Sequence, residues 1–163
     1  MKRPDIIPSK IYSLQTLLRQ VCSWRATGSS IAFTNGVFDI LHEGHIASLS
    51  DAAREADYLI VGVNSDASVK RLKGPERPIN QEKSRALLIA AMVMVDAVII
   101  FEEDTPLTLI TTLLPNVIVK GGDYILEQIV GAKEVIANGG RVVINPMVKG
   151  FSTTGIINQL QKG

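Results

Sequence analysis

The chain has 163 residues, 46% of them hydrophobic, with 17 basic and 16 acidic side chains and a net charge of +1. That size suits one globular domain over residues 1–163, and the near-neutral balance excludes a generally cationic nucleic-acid binder and a disordered acidic chain. A single cysteine, Cys22, excludes an intrachain disulfide and a multi-cysteine zinc site.

Residues 1–10 carry Lys2, Arg3, Pro4, Asp5 and Pro8 and lack the apolar core of a signal peptide. They are expected to be a loose N-terminal segment. Apolar residues at 11, 14, 17, 18 and 21 predict a helix over 11–24. The runs 31–33, 58–63, 97–101, 117–119 and 141–144 are rich in Val and Ile and apolar on both faces, as buried parallel strands are. Helical stretches alternate with them at 44–56, 66–72, 81–93, 106–114, 131–138 and 152–161. The longest apolar stretch, 86–101, is interrupted by Asp96 and is too short and too charged to span a bilayer. The expectation is a cytoplasmic protein without nucleic-acid or membrane partners. A second loose segment is expected at 73–80.

Alternating strands and helices imply an α/β domain, Rossmann-like and three-layered, with a five-stranded parallel sheet. In such sheets ligands bind beyond the carboxyl ends of the strands. The polar tails at 34–39, 64–66, 120–123 and Asn145 fall there. A site built from several strand-end loops is therefore expected before any motif is considered.

The most specific stretch is Thr34-Asn35-Gly36-Val37-Phe38-Asp39-Ile40-Leu41-His42-Glu43-Gly44-His45. It leaves the first strand and opens a helix. Gly36 lets the backbone approach a ligand, and the amides at the helix start form an anion site. His42 and His45 are the chain's two histidines and face the same way on a helical turn. Beside a helix N-terminus, two imidazoles can donate to phosphate oxygens. The alternatives are two unrelated surface histidines or part of a metal site, although no cysteine cluster, third histidine or Asp-rich group completes a metal set.

Residues 70–85 hold Lys70, Arg71, Lys73, Arg77, Lys83 and Arg85 against Glu76 and Glu82, a local excess of +4. This is either a solvated helix face with a loop or a flap that closes on phosphates, and Gly74, Pro75 and Pro78 favour a loop. Lys120-Gly121-Gly122-Asp123 follows a strand. Its glycines permit close backbone approach, and the carboxylate can accept from sugar hydroxyls. Ser152-Thr153-Thr154 opens the last predicted helix, as N-caps or as phosphate ligands. Met92 and Met94 read as core packing, Trp24 and Cys22 as structural or interfacial residues, and Glu102-Glu103-Asp104 as a solvated acidic turn.

The His42-Glu43-Gly44-His45 segment in its Gly-x-Phe-Asp context resembles the HxGH signature of the nucleotidyltransferase superfamily. Asn64 to Gly74 with Arg77-Pro78, then Val119 to Tyr124, then Ser152 to Thr154 before Ile156-Ile157, are together similar to the D-glycero-β-D-manno-heptose 1-phosphate adenylyltransferases, in their stand-alone form. The resemblance implies transfer of AMP from ATP to heptose 1-phosphate, giving ADP-heptose and pyrophosphate for lipopolysaccharide core biosynthesis. It also implies a homodimer or higher homo-oligomer and a separate heptose kinase upstream.

The resemblance further implies roles for individual residues. His42, His45, Lys70 and Lys73 would stabilise charge on the transferring phosphate. Thr34, Asn35, Gly36, Phe38, Asp39 and Gly44 would serve the nucleotide from the first loop. Arg85, Lys120, Gly122 and Asp123 would serve it from the later ones. Ser152, Thr153 and Thr154 would hold the leaving pyrophosphate. Asn64, Asp66, Arg77 and Tyr124 would take the sugar phosphate. Mg²⁺ is expected to bridge the ATP phosphates with few dedicated protein ligands. A cytidylyltransferase acting on a small acceptor such as glycerol 3-phosphate, and a non-catalytic nucleotide-binding module, remain as alternatives.

Overall fold

The computed structural model describes residues 4–146, so the expected helix at 152–161 and the expected phosphate ligands Ser152, Thr153 and Thr154 lie outside the described residues. Five strands form one parallel sheet: β1 (Ile31–Gly36), β2 (Tyr58–Asn64), β3 (Ala97–Phe101), β4 (Val117–Gly121) and β5 (Arg141–Asn145). Their spatial order is β3-β2-β1-β4-β5. The chain winds outward from β1 in one direction to β3, then returns to the other side of β1 for β4. The strand order thus reverses between β1 and β4, and the crevice for a ligand opens at that point.

Seven helices flank the strands among the described residues: α1 (Ile6–Ser9), α2 (Leu14–Ala26), α3 (Glu43–Ala53), α4 (Asp66–Lys73), α5 (Glu82–Ala90), α6 (Leu107–Leu113) and α7 (Ala132–Ala137). Because strands β1 to β4 are buried on both faces over most of their length, the core falls into two layers. Leu17, Val21, Phe33, Ile60, Ile110 and Ile118 pack α2, α6 and α7 on one face. Leu49, Leu59, Val61, Val63, Ile89 and Val119 pack α3 and α5 on the other. Met92 and Met94 sit against the second layer as packing residues. Trp24 is buried and stacks on Tyr58 with ring centroids 4.2 Å apart. Among the described residues no helix is long and apolar enough to cross a membrane.

The element starts follow local chemistry. Helix α2 begins at Leu14, three residues later than its apolar spacing suggests. Ile11 is bridged to Val98 on the outer edge of β3, and Ser13 caps the helix by accepting from the Thr16 N–H at 3.3 Å. The described part of the expected loose N-terminus is tied down in the same way. The Lys10 ammonium donates to the carbonyls of Val95 at 2.7 Å and Met92 at 3.3 Å, and Lys10 and Tyr12 exchange backbone bonds with Val98. This strap covers an edge that would otherwise leave backbone groups unpaired.

Candidate functional site

Strand β1 runs out at Asn35 and Gly36, and the chain must turn sharply before α3. Phe38 takes up the turn with φ of +50°, a left-handed conformation that non-glycine residues seldom adopt. A side chain at position 36 would bring its Cβ to 3.1 Å from the Phe38 ring, tighter than an ordinary contact, so glycine lets that ring pack close to the end of β1. The Phe38 ring is buried and meets His45 edge-on, with centroids 5.4 Å apart and planes at 60°.

His42 is the N-cap of α3, in extended conformation, and His45 lies in its first turn. The two imidazoles stack with centroids 3.9 Å apart, and the His42 N–H donates to His45 Nδ1 at 3.3 Å. Burial, reinforced by the neighbouring His42, pushes the His45 imidazole down to about 4. His45 is therefore neutral at neutral pH. Its Nδ1 accepts, so the assigned ring proton lies on Nε2, and that atom is a donor.

Across the switch point, the Lys120 ammonium on β4 donates to the Asn35 side-chain oxygen at the end of β1. Burial lowers the Lys120 ammonium to about 8. Gly122 follows with φ of +131°, and its N–H donates to the Asn145 carbonyl at 2.9 Å, which closes the end of β4 against β5. The turn then releases Asp123 and Tyr124 to solvent. Asn35, Gly36, Lys120 and Gly122 thus gather at the reversal in strand order, as the strand-end argument requires. His42, Gly44 and His45 belong to the helix start that follows the β1 turn.

Several other candidates are placed differently from the expectation. Asp39, expected to serve the nucleotide, is buried and accepts from Arg77 Nε at 2.8 Å, from the Ile79 N–H at 2.9 Å and from the Asn80 N–H at 2.8 Å. Burial pushes the carboxyl up, but those N–H groups and the Arg77 guanidinium more than offset this and hold it below the usual range. Arg77, expected at the sugar phosphate, is spent on this clamp. So is the expected looseness of 73–80, at least over residues 77–80.

Arg85, expected beside the phosphates, is 0% exposed. Its guanidinium donates to the carbonyls of Val37 and Asn80 and to Asp66 Oδ1, which leaves no face for a ligand. Asp66 in turn carries that ion pair, and its N–H donates to Glu82 Oε2 at 2.7 Å. Asn64 is buried at the end of β2, its amide donating to Ser68 Oγ at 3.0 Å. Thr34 is buried within β1. These side chains are scaffold for the loops rather than their lining.

Lys70 and Lys73 lie exposed on the last turn of α4. Their neighbour Arg71 pairs with Asp104 at 2.7 Å and donates to the Glu102 carbonyl, so the acidic turn anchors the basic helix. Two residues that the sequence reading passed over belong to this frame. Asn80 and Glu82 bridge the signature turn and α4, and the visible hint was their place just before and within the first turn of α5. Among the described residues no group of three or more His, Cys, Asp or Glu side chains is placed to hold a metal.

The profile of the cytidylyltransferase-like family matches residues 33–159. The chain is 52% identical over 160 residues to the bifunctional protein HldE of Mesorhizobium japonicum, covering 98% of this chain and 32% of that protein. It is 55% identical over 150 residues to the bifunctional protein HldE of Hyphomonas neptunium, covering 92% of this chain and 31% of that protein. The chain thus spans about a third of the length of these curated relatives. A solved lipopolysaccharide core biosynthesis protein from Thermoplasma volcanium superposes with a TM-score of 0.61 at 31% identity, covering 76% of this chain and 100% of the other. A pantoate-beta-alanine ligase from Francisella tularensis, at 17% identity and a TM-score of 0.53 over 90% of this chain and 76% of its own, shares the fold alone.

Proposed function

The chain belongs to the cytidylyltransferase-like family of nucleotidyltransferases, and on that premise we propose that it transfers AMP from ATP to D-glycero-β-D-manno-heptose 1-phosphate, giving ADP-heptose and pyrophosphate. The observation that carries this reading is the Lys120–Asn35 contact at the reversal in strand order. It brings the Lys120-Gly121-Gly122-Asp123-Tyr124 loop, which resembles that of heptose 1-phosphate adenylyltransferases, against the strand that leads to the two histidines. The similarity to a lipopolysaccharide core biosynthesis protein supports the same class of acceptor.

The reaction needs no strong base. A sugar phosphate is ionised at neutral pH, and its oxygen attacks the α-phosphorus in line. The new P–O bond forms as the bond to the β-phosphate oxygen breaks, and pyrophosphate leaves with the electron pair. What the protein supplies is position and charge neutralisation. In this reading the His45 Nε2–H donates to an oxygen of the transferring phosphate, and His42 does so from the cap. Lys120 supplies positive charge from the β4 side, and Lys70 and Lys73 supply it from α4. Asp123 and Tyr124 take sugar or ribose hydroxyls, and Ser152 to Thr154 take the leaving pyrophosphate.

Mg²⁺, when bound, would neutralise phosphate charge. The same reading places the enzyme in the cytoplasm, as a homo-oligomer, after a heptose kinase. Pyrophosphate release measured with ATP or CTP against heptose 1-phosphate and glycerol 3-phosphate tests it. Release with ATP and the heptose is expected. Release only with CTP, or none with any pair, would overturn the assignment in favour of a cytidylyltransferase or a binding module.

A further inference from the structure

The signature turn is held by its carbonyls. The Val37 carbonyl accepts from Arg85 Nη1 at 2.6 Å, and the Asp39 carbonyl accepts from Asn80 Nδ2 at 2.6 Å. Between these two anchors lies Phe38, whose left-handed backbone persists only if its surroundings over-determine it. Its ring is the surface on which the His45 imidazole rests edge-on.

Arg85 reaches this turn from α5 while wholly buried. Its other two donors go elsewhere, Nε to the Asn80 carbonyl at 2.8 Å and Nη2 to Asp66 Oδ1 at 2.8 Å. One planar fork thus ties together the signature turn, Asn80 in the loop before α5 and the first turn of α4. A guanidinium can serve three directions at fixed angles, which an ammonium on a flexible stem cannot. Asp66 and Asn80 are themselves fixed, by Glu82 and by Asp39.

We propose that Arg85 is a positioning residue for the histidine pair: through the Val37 carbonyl it holds Phe38 in the conformation that sets its ring against His45, and it touches no substrate. The proposal rests on the reading above that His42 and His45 act on the phosphate. It differs from the role that the sequence suggested for Arg85, since contact with phosphates would need an exposed donor.

The test is Arg85→Lys in the full chain without a histidine tag, so that the two native histidines give resolved NMR signals. Three quantities are read: the Phe38–His45 ring NOE, the His45 titration midpoint and the steady-state constants. The NOE is expected to weaken, and the His45 midpoint to climb from about 4 towards the ordinary 6.5 as the ring escapes its buried site. Turnover is expected to fall by about tenfold or more, with the KM for ATP changing far less.

If Arg85→Lys does not fold, Asp66→Asn leaves the guanidinium in place and loosens one of its three anchors. The same changes are expected in smaller measure. An intact NOE and an unmoved His45 midpoint in a folded variant would overturn the proposal, even if the melting temperature dropped. That result would make Arg85 a scaffold residue alone. If His45→Ala leaves turnover intact, the histidine reading fails, while a lost ring contact in Arg85→Lys would still establish the positioning.

Discussion

The imidazoles of His42 and His45 lie ring on ring at 3.9 Å, and the backbone N–H of the first donates to Nδ1 of the second. Two imidazolium ions in that stack would repel, and His45 is buried besides, so its imidazole is neutral and, in the proposed function, donates through Nε2. A phosphate oxygen gains charge as the bond to pyrophosphate breaks, so the contact strengthens in the transition state. His45→Ala is expected to lower turnover by an amount on the order of 2–4 kcal/mol, roughly 30- to 1,000-fold, with a near-normal KM for ATP. Steady-state kinetics checks it, and near-normal turnover would refute the role. The pH dependence has a definite sign. The folded value near 4 lies below the ordinary 6.5, so the unfolded chain binds the proton first as pH falls. Stability should be fully present above pH 6.5 and be lost as pH drops towards 4, and His45→Gln should flatten that part of the urea-midpoint curve.

The Asp39 clamp makes residues 77–80 ordered without any ligand. Asp39→Ala strands the Ile79 and Asn80 N–H groups and the Arg77 guanidinium, which are at least partly buried. We expect a loss of about 2–4 kcal/mol in stability, the range for breaking a buried charged network from one side. Limited proteolysis should cut within 73–80 in the variant and spare 77–80 in the ligand-free parent. Because the folded carboxyl is held below its ordinary value, its contribution is lost as pH falls through that lowered value. A parent chain cleaved there as fast as the variant would contradict the clamp.

In the proposed function Lys120 faces the triphosphate, which would restore its charge. With a value near 8, a fraction of the chains carries a neutral amine at mildly alkaline pH. Binding of ATP should then take up about half a proton per site at pH 8 and almost none at pH 6. Calorimetric titration in two buffers of different ionisation enthalpy measures this directly. Lys120→Met should abolish the uptake, and uptake that survives in that variant would assign the proton to another group.

Asp123 is exposed beyond the Gly121-Gly122 turn, free of the internal networks that absorb Asp39 and Asp66. An ionised carboxylate only accepts, and sugar and ribose hydroxyls donate. In the proposed function, its removal leaves a hydroxyl enclosed by the bound substrates without an acceptor, at a cost of about 1–3 kcal/mol. Asp123→Ala should raise KM for ATP or heptose 1-phosphate at least severalfold with an unchanged melting temperature. Unaltered constants for both substrates would make this segment a turn and nothing more.

The sequence alone was enough for the frame. Runs such as 58–63 and 97–101, apolar on both faces, mark buried strands because only a sheet covered on both sides tolerates them. Helical spacing marks the intervening elements. The placement of Asn35 and Lys120 at strand ends, and of the histidine pair in the segment that follows β1, follows from the sequence, since the carboxyl ends of parallel strands share one edge. The tertiary structure decided which charges face a ligand and which are consumed inside. Asp39, Arg77, Asp66 and Arg85 are all implied as site residues by the family resemblance, and all are bound internally by partners 19 to 48 positions away. Periodicity reports which face of an element is apolar, because burial of carbon recurs with the helix or strand repeat. A hydrogen bond between distant loops leaves no such repeat. Whether a carboxylate meets a phosphate-bound sugar or a buried guanidinium depends on where the chain returns in space.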